Sequence, residues 1–358
     1  MTRLAGALAL AVWTLVCAAA PVQAADREQP ALNTGPKVGD PIPAFEVADS
    51  SGKPQTFETL RGPKGLLLLF TRSADWCPFC KGHLVQLERQ REAFESRGYR
   101  LAALTYDSPE ILRHFAARAG ISYPLLSDPD SKVIRAFGIL NKTVPASHAF
   151  YGIPNPGQYL INFDGKVEAK FFEQKYSDRS TPGSVLVRTL DADGLGARSE
   201  ARTKYLTVTS SASDAIVRSG NRISLVIDVE LEPKMHVYAP SVEGYIPIDW
   251  VVEAAQGIEV YPAGYPESEL LHLAAIDEIV PVYTGRFRIV RDVLLGKPED
   301  LKALTGGSGE LVLRGAFRYQ ACDDKLCYLP DQVPLEWRFQ LEEHDRTRVP
   351  ENLQRPMR

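Results

Sequence analysis

Two cysteines separated by two residues are the strongest chemical signal in the sequence. Cys77 and Cys80 follow the apolar run 65–70 and precede apolar residues at helical spacing, so they lie where a predicted strand ends and a helix begins. Free N–H groups at a helix start stabilise a thiolate and lower the pKa of the first thiol. The second thiol is near enough to resolve a mixed disulfide. We therefore predict thiol–disulfide chemistry, with Cys77 as the attacking thiolate and Cys80 as the resolving thiol.

A second pair, Cys322 and Cys327, lies far along the chain. Residues 311–322 alternate between apolar and polar, which predicts a strand with Cys322 on the polar face. A short turn then brings back Cys327, so we expect a disulfide across an accessible hairpin. So small a loop restrains the unfolded chain little, which favours a reactive over a structural disulfide. Asp323 and Asp324 in the turn are expected to raise the thiol pKa and slow the reduced pair as a nucleophile.

The other cysteine lies at the N-terminus. Arg3 precedes an apolar run over residues 4–20 that ends in small residues, which predicts a secretory signal over residues 1–24. Cys17 would be lost with that signal, leaving four cysteines. A retained anchor is the alternative, although the run is short for a membrane span. No later stretch is long and apolar enough to cross a bilayer. We expect a periplasmic or otherwise exported protein.

The remaining composition limits the partners. The formal net charge is −4 over 358 residues, which gives no indication of nucleic acid as a partner. Half of a zinc site is the structural alternative for the first cysteine pair. It is disfavoured because the second pair of ligands would come from far along the chain. We expect no metal and no cofactor.

The hydrophobic pattern divides the chain into two domains. Strands alternate with helices in the first half, which is typical of an α/β domain. In the second half, residues 222–232 alternate between apolar and polar and similar runs recur between Pro and Gly turns, which indicates a β-sandwich. Residues 192–202 are polar and Gly-rich, and we expect a flexible linker there. The predicted domains are residues 35–191 and 203–345.

The first domain resembles the redoxin branch of the thioredoxin fold, the AhpC/TSA-like and TlpA-like proteins. The resemblance rests on Val-Gly-Asp-Pro at residues 38–41, on the Cys-x-x-Cys motif, and on residues 156–161 before an Asp-Gly hairpin. It implies that Trp76 and Pro78 of the motif support the cysteine pair. It also implies a cis-proline before the strand facing the cysteines, and Pro156 takes that place by its spacing.

The sequence departs from true peroxiredoxins beside the first cysteine. In those proteins the sequence before the reactive cysteine resembles Pro-x-x-x-Thr-x-x-Cys, whereas this chain has Phe70 and Ala74 at the Pro and Thr positions. The hydroxyl that would position a peroxide is then missing, unless Ser73 substitutes for it. Nearby, Arg72 and Asp75 are expected to form a solvated pair.

His83, in the helix after the motif, is expected to be a surface residue rather than a base.

The second domain resembles the N-terminal domain of the thiol:disulfide interchange protein DsbD, which is immunoglobulin-like. Tyr-Gln-Ala-Cys at residues 319–322 and Cys-Tyr with a following proline at residues 327–330 carry the resemblance, which covers residues 200–342. It implies redox roles for Cys322 and Cys327, and a cap loop that shields them, for which residues 265–279 are the candidate. The fold class is thus an α/β thioredoxin-like domain followed by an all-β immunoglobulin-like sandwich.

Three interpretations of function remain open. The first is a thiol–disulfide oxidoreductase that relays electrons between the two cysteine pairs within one chain, because a short linker would keep the two domains near each other. The second is a peroxiredoxin-like thiol peroxidase, against which the missing Thr weighs. The third is a redoxin with a non-catalytic docking sandwich. Expected partners are protein thiols and disulfides, with a membrane electron-transfer protein as a candidate among them.

Overall fold

The computed structural model describes residues 32–273 and 277–355. The predicted signal over residues 1–24, with Cys17, lies outside the described residues. Residues 33–358 group as one unit by their internal contacts, so the predicted redoxin and sandwich halves belong to the same unit.

The first half is built on a mixed seven-stranded sheet. Its strands, with the short β8 that follows, are β1 (Glu46–Asp49), β2 (Pro54–Thr56), β3 (Gly65–Phe70), β4 (Tyr99–Thr105), β5 (Leu125–Ser127), β6 (Gly157–Asn162), β7 (Val167–Phe172) and β8 (Arg179–Ser180). The order of strands in the sheet is β2-β1-β5-β4-β3-β6-β7. Its helices are α1 (Phe57–Leu60), α2 (Pro78–Arg89), α3 (Arg91–Glu95), α4 (Pro109–Ala119), α5 (Lys132–Ala136) and α6 (Pro182–Leu190).

The central strand β3 is buried along its whole length because both sheet faces are covered. Leu67 and Leu69 pack on one face with residues of α2, α4 and α6, and Leu66 and Leu68 pack on the other. The strand runs parallel to β4 and antiparallel to β6. The predicted Asp-Gly hairpin between β6 and β7 is confirmed, with Gly165 at a φ of 78°. The first cysteine pair therefore follows the most rigidly buried strand of the domain.

The second half is almost entirely β-structure, as the sequence predicts. Its elements are β9 (Ser199–Arg202), β10 (Leu206–Ala212), β11 (Ile216–Val217), β12 (Asn221–Leu231), β13 (His236–Tyr238), β14 (Asp249–Val252), β15 (Ile258–Gly264), β16 (Glu269–Leu273), β17 (Glu278–Thr284), β18 (Arg286–Leu295), α7 (Pro298–Leu304), β19 (Glu310–Tyr319), β20 (Ala321–Cys322) and β21 (Asp331–Leu341). A 3-10 turn follows at Glu351–Leu353.

Two sheets form the sandwich and a smaller one carries the second cysteine pair. The first has the order β15-β18-β12-β10-β9 and the second β11-β21-β19-β14, and both contribute to one apolar core around Trp250 and Trp337. The third sheet, β16-β17-β13-β20, ends at Cys322. The fold class, thioredoxin-like followed by an all-β sandwich, is confirmed.

The predicted linker contacts the sandwich. The backbone N–H of Gly196 donates to the carbonyl of Ala212, and a side chain on Gly194 would collide with that same carbonyl. Residues 199–202 already form β9. This edge strand is mostly exposed, so it lacks the apolar alternation that would have indicated a strand.

Backbone and side-chain bonds join the two halves directly. Strand β8 of the first half pairs with the start of β12, Arg179 opposite Asn221. The buried Thr181 hydroxyl donates to the Asp214 carboxylate at 2.6 Å, and the Gln86 amide on α2 donates to Asn221 at 2.6 Å. The cysteine-bearing helix is therefore part of the contact with the sandwich.

Candidate functional site

Cys77 and Cys80 lie at the start of α2, as the sequence predicts. Cys77 is the N-cap residue, and its sulfur accepts a hydrogen bond from the Cys80 backbone N–H at 3.3 Å. Pro78 occupies the first helical position, where the missing N–H is no loss. The two cysteines are disulfide-bonded, with their Cα atoms 5.2 Å apart. A reduced Cys77 would face the free N–H groups of the first turn, which lower the pKa of a thiol.

Trp76 is fixed by aromatic and polar contacts on three sides. Its ring stacks on Phe150 at 4.0 Å, and its indole N–H donates to the Tyr106 hydroxyl at 2.9 Å. The Arg72 guanidinium lies over the Trp76 ring at 4.8 Å and over Tyr176 at 4.6 Å. Trp76 therefore lies between fixed neighbours beside the disulfide.

The predicted solvated pair of Arg72 and Asp75 is wrong. Asp75 is 1% exposed, and its carboxylate accepts two hydrogen bonds from Arg348, at 2.8 and 2.5 Å, and one from the Val349 N–H at 2.9 Å. Arg72 is engaged with aromatic rings instead. A carboxylate buried this deeply needs a charged partner, and that partner comes from the far end of the chain.

A buried carboxylate organises the loop before Cys77. Asp107 accepts hydrogen bonds from the Ser73 hydroxyl at 2.9 Å, the Ala74 N–H at 2.7 Å and the Thr105 hydroxyl at 3.1 Å. Burial raises the pKa of Asp107 to about 6. The Ser73 hydroxyl in turn accepts from the Asp75 N–H at 3.0 Å. Ser73 is thus committed to the loop, which weighs against its standing in for the missing Thr.

His83 is buried, so its prediction as a surface residue is wrong. It is 2% exposed and lies three residues after Cys80, on the same face of α2. Burial lowers the pKa of His83 to about 3, and the neighbouring Arg179 acts in the same direction. Arg179 is itself 3% exposed, and burial lowers its pKa to about 9. His83 is therefore a neutral buried group, too weak a base to accept a thiol proton readily.

Pro156 lies where the sequence places it, but without the predicted cis bond. It precedes β6, whose first residue Gly157 pairs with Phe70 at the end of β3 nearest the cysteines. Every peptide bond among residues 32–273 and 277–355 is trans. The prediction of a cis bond is therefore wrong. An X–Pro bond prefers trans by about 0.5–1 kcal/mol, and the spacing of Pro156 carries no information on the isomer. Its supporting role stays a prediction.

The second cysteine pair has one buried and one exposed partner. Cys322 and Cys327 are disulfide-bonded with their Cα atoms 4.0 Å apart. Cys322 is 1% exposed and packs with Tyr238, Val280 and Val282, so its predicted place on a polar face is wrong. The alternation fails because β19 ends at Tyr319 and the chain continues as β20 in a different sheet. Cys327 is exposed, as the hairpin predicts.

Asp323 holds the turn between these cysteines, and the predicted effect of Asp323 and Asp324 on the thiol pKa stays a prediction. The Asp323 carboxylate accepts from the Leu326 and Lys325 N–H groups, and these bonds hold the pKa of Asp323 below its usual range. The Tyr238 hydroxyl lies 3.6 Å from the Cys327 sulfur.

Two exposed apolar side chains lie close to Cys327 in the sequence. Leu326, which directly precedes it, is 52% exposed, and Leu329, two residues after it, is 87% exposed. The predicted cap segment forms the β16–β17 hairpin, whose Leu270 and Ile279 are also exposed. Residues 274–276 of that segment lie outside the described residues. An apolar surface around an exposed disulfide sulfur suits contact with another protein.

The two disulfides lie at opposite ends of the sandwich. Tyr319, three residues before Cys322, pairs with Asp331 at one end of β21. His344, three residues beyond the other end of β21, packs on Phe79 between the first two cysteines, with ring centroids 4.4 Å apart. An eleven-residue strand rises about 3.3 Å per residue, so roughly 30 Å of strand lies between these two contacts.

Comparison with known proteins assigns a family to each half. Residues 38–170 match the AhpC/TSA family, and residues 204–335 match the N-terminal domain of the thiol:disulfide interchange protein DsbD. The chain is a fusion of these two domain types. It therefore combines a redoxin domain with a DsbD N-terminal-type domain, and each holds one cysteine pair. This confirms both resemblances inferred from the sequence.

Individual relatives match the first half. Alkyl hydroperoxide reductase E of Mycobacterium tuberculosis is 28% identical over 162 residues, which is 45% of this chain and 96% of the relative. Peroxiredoxin Bcp of Escherichia coli is 27% identical over 142 residues, 40% of this chain and 89% of the relative. The crystal structure of peroxidoxin BcpB from Mycobacterium tuberculosis, 23% identical, covers 40% of this chain and 90% of its own, with a TM-score of 0.35.

Among residues 32–273 and 277–355, no group of three or more His, Cys, Asp or Glu side chains is placed to hold a metal ion. Over the same ranges, no helix has the length and apolarity needed to cross a membrane.

Proposed function

We propose that the chain is a thiol–disulfide oxidoreductase whose two cysteine pairs exchange electrons. The observation that carries this proposal is that each half matches a redox domain family and holds a bonded pair within the matched residues. The N-cap position of Cys77 supports its role as the attacking thiolate, with Cys80 resolving. The exposure of Cys327 supports its role as the sulfur that an incoming thiolate attacks.

The exchange proceeds through a mixed disulfide. The Cys77 thiolate attacks Cys327, forms a Cys77–Cys327 bond and displaces Cys322 as a thiolate. Cys80 then attacks Cys77, forms the Cys77–Cys80 disulfide and releases Cys327. Two electrons pass from the redoxin pair to the sandwich pair, and the reverse sequence carries them back. No cofactor enters the balance.

The roughly 30 Å of strand between the contacts of the two pairs supports exchange between two copies rather than within one. Replacing Cys80 with Ser prevents resolution and should trap the intermediate. We expect a disulfide-linked dimer whose digest contains Cys77 joined to Cys327, and which forms faster as protein concentration rises. The control is Cys80→Ser combined with Cys322→Ser and Cys327→Ser, which should form no such species.

Other outcomes separate the alternatives. A cross-link within one monomer, at a rate independent of concentration, would contradict exchange between copies and restore an intramolecular relay. The absence of any Cys77 cross-link to the sandwich would contradict the relay itself and favour the sandwich as a docking module.

A peroxidase is the second candidate, because two relatives of the first half are named for peroxide reduction. In that reaction Cys77 attacks the peroxide, releasing the leaving oxygen as hydroxide, and its sulfenic acid then condenses with Cys80 and releases water. The absence of a hydroxyl at Ala74 predicts a slow first step. Stopped-flow oxidation by hydrogen peroxide tests it, and a rate constant near 10⁷ M⁻¹s⁻¹, roughly the upper enzymatic range, would favour the peroxidase.

Export to the periplasm or a similar compartment is part of the proposal. An oxidising compartment is supported by the predicted signal over residues 1–24 and by the two disulfides, Cys77–Cys80 and Cys322–Cys327. Protein thiols, including those of a membrane electron-transfer protein, are the proposed source or destination of electrons. Fractionation of cells expressing the full chain, with disulfide state read by alkylation, would check this.

A further inference from the structure

The sulfurs of the redoxin pair are hidden, although the proposed function requires them to react. Cys77 is 1% exposed and Cys80 is 0% exposed. An incoming thiolate must reach a disulfide sulfur directly for exchange to occur. Either the substrates of this pair are small or something that covers the pair must move.

Residues 342–355, here called the C-terminal segment, follow β21 and lie along the start of α2. The His344 ring packs on Phe79, and the Lys81 ammonium donates to the Thr347 carbonyl at 2.6 Å. Lys81 is 1% exposed, so this contact is deeply buried. The segment thus touches the helix both between the two cysteines and directly after them.

The same segment is fixed on the other side of the pair by charge. Arg348 makes the two hydrogen bonds to Asp75 described above, two residues before Cys77. Further along, the Arg355 guanidinium donates to the Tyr106 carbonyl at 3.0 Å. The segment thus contacts residues 75, 79 and 81, which flank Cys77 and Cys80 in the sequence, and Tyr106, whose hydroxyl accepts from Trp76.

We propose that the C-terminal segment is a cover that determines which substrates reach Cys77. With the segment in place, small oxidants and small thiol reagents reach the sulfur and folded proteins do not. Exchange with a protein disulfide requires the segment to leave α2. This proposal rests on the reactive role of Cys77 in the proposed function. It deepens that function by assigning small substrates to the state with the segment bound on α2 and protein substrates to the state with the segment released.

The Asp75–Arg348 pair is the contact whose loss should open the cover. Its two charges come from the loop before Cys77 and from the segment itself, and Asp75 is buried whereas the Arg348 side chain is 45% exposed. Removing Arg348 leaves a buried carboxylate without its cation, which favours an arrangement that lets water reach Asp75. Arg346 lies in the same segment, is exposed and makes no side-chain hydrogen bond or ion pair with the described residues, so Arg346→Gln is a matched loss of one positive charge.

The test measures access to Cys77 in the reduced full-length protein. Two reagents carry the same maleimide: N-ethylmaleimide, and a maleimide attached to a folded carrier protein without thiols. Peptide mass spectrometry reports labelling at Cys77. For Arg348→Gln we expect the ratio of carrier rate to N-ethylmaleimide rate to rise roughly tenfold or more, because breaking a buried pair typically shifts an equilibrium by at least that factor. For Arg346→Gln we expect this ratio to be the same as in the unchanged protein.

Asp75→Asn is the second variant, because it removes the ion pair from the other side and should raise the same ratio. The ratio cancels any change in thiolate reactivity, since both reagents see the same sulfur. If the ratio is unchanged in both variants, or if both reagents label Cys77 faster by the same factor, the proposal that the segment covers Cys77 is wrong. The relay can fail while this ratio still rises, because labelling involves no electron transfer between the pairs.

Discussion

Replacing His83 with Gln should change how the free energy of unfolding depends on pH, because His83 and a second buried group, Asp107, act on it in opposite directions. His83 has a folded pKa of about 3, against about 6.5 in an unfolded chain. The unfolded state therefore binds more protons between these values, and the free energy of unfolding falls as pH drops through this range. Between roughly pH 7.5 and pH 4.5 the loss from His83 is about 2–3 kcal/mol.

Asp107 acts in the opposite direction. Its folded pKa of about 6 lies above its ordinary value of 3.8, so the folded state binds more protons and acidification stabilises it. Over the same interval the gain is about 2 kcal/mol. The His83 loss and the Asp107 gain oppose each other in the unchanged protein, and in His83→Gln the His83 loss is removed.

The measurement is urea unfolding of the oxidised protein at the two pH values. On acidification we expect the free energy of unfolding of His83→Gln to rise by about 2–3 kcal/mol relative to the unchanged protein, since only the His83 loss is removed. His148→Gln, at an exposed histidine, is the control and should follow the unchanged protein. If His83→Gln shows the same pH response as the unchanged protein, the neutral, buried state assigned to this imidazole is wrong.

Three further changes test other parts of the structure. Asn221→Ala removes the acceptor of the Gln86 amide between the two halves, and should lower the free energy of unfolding by about 1–3 kcal/mol in denaturant titration. Trp337→Phe deletes the indole N–H that donates to the Ser211 carbonyl at 2.9 Å, with a loss of about 1–3 kcal/mol visible as a lower Tm; an unchanged Tm would contradict that bond. In reduced protein near pH 6, iodoacetamide should label Cys77 faster than Cys80, and the reverse order by mass spectrometry would count against the N-cap argument.

The local elements were predictable because their signals are local. A Cys-Pro pair after a buried strand predicts a helix N-terminus, and α2 begins at Pro78. The apolar alternation of residues 222–232 predicts β12 to within a residue at each end.

The environment of the sites was not predictable, because it depends on residues distant in sequence. Asp75 and its partner Arg348 are 273 positions apart, and no periodicity links them. Cys322 departs from the alternation of β19 because the chain changes sheets after Tyr319. His83 is buried because the sheet and the sandwich enclose a helix that a single sequence shows as half polar. Burial of this kind depends on tertiary contacts. A single sequence predicts it only for residues inside a regular helix or strand whose apolar periodicity is unbroken.

Because β8 pairs with β12, we expect the redoxin half and the sandwich half to unfold together as one cooperative unit. Residues 179–180 complete a sheet that belongs to the other half, and Asp214 in that half depends on the Thr181 hydroxyl. The chain should therefore give a single calorimetric transition instead of two. Separating the two halves between residues 192 and 198 would expose the edge of β12 and leave Asp214 without its Thr181 donor, with the Ser213 hydroxyl still bonded to it from the same half. Exchanging the redoxin half for that of a relative would accordingly succeed only if β8 and the start of α6 were kept from this chain.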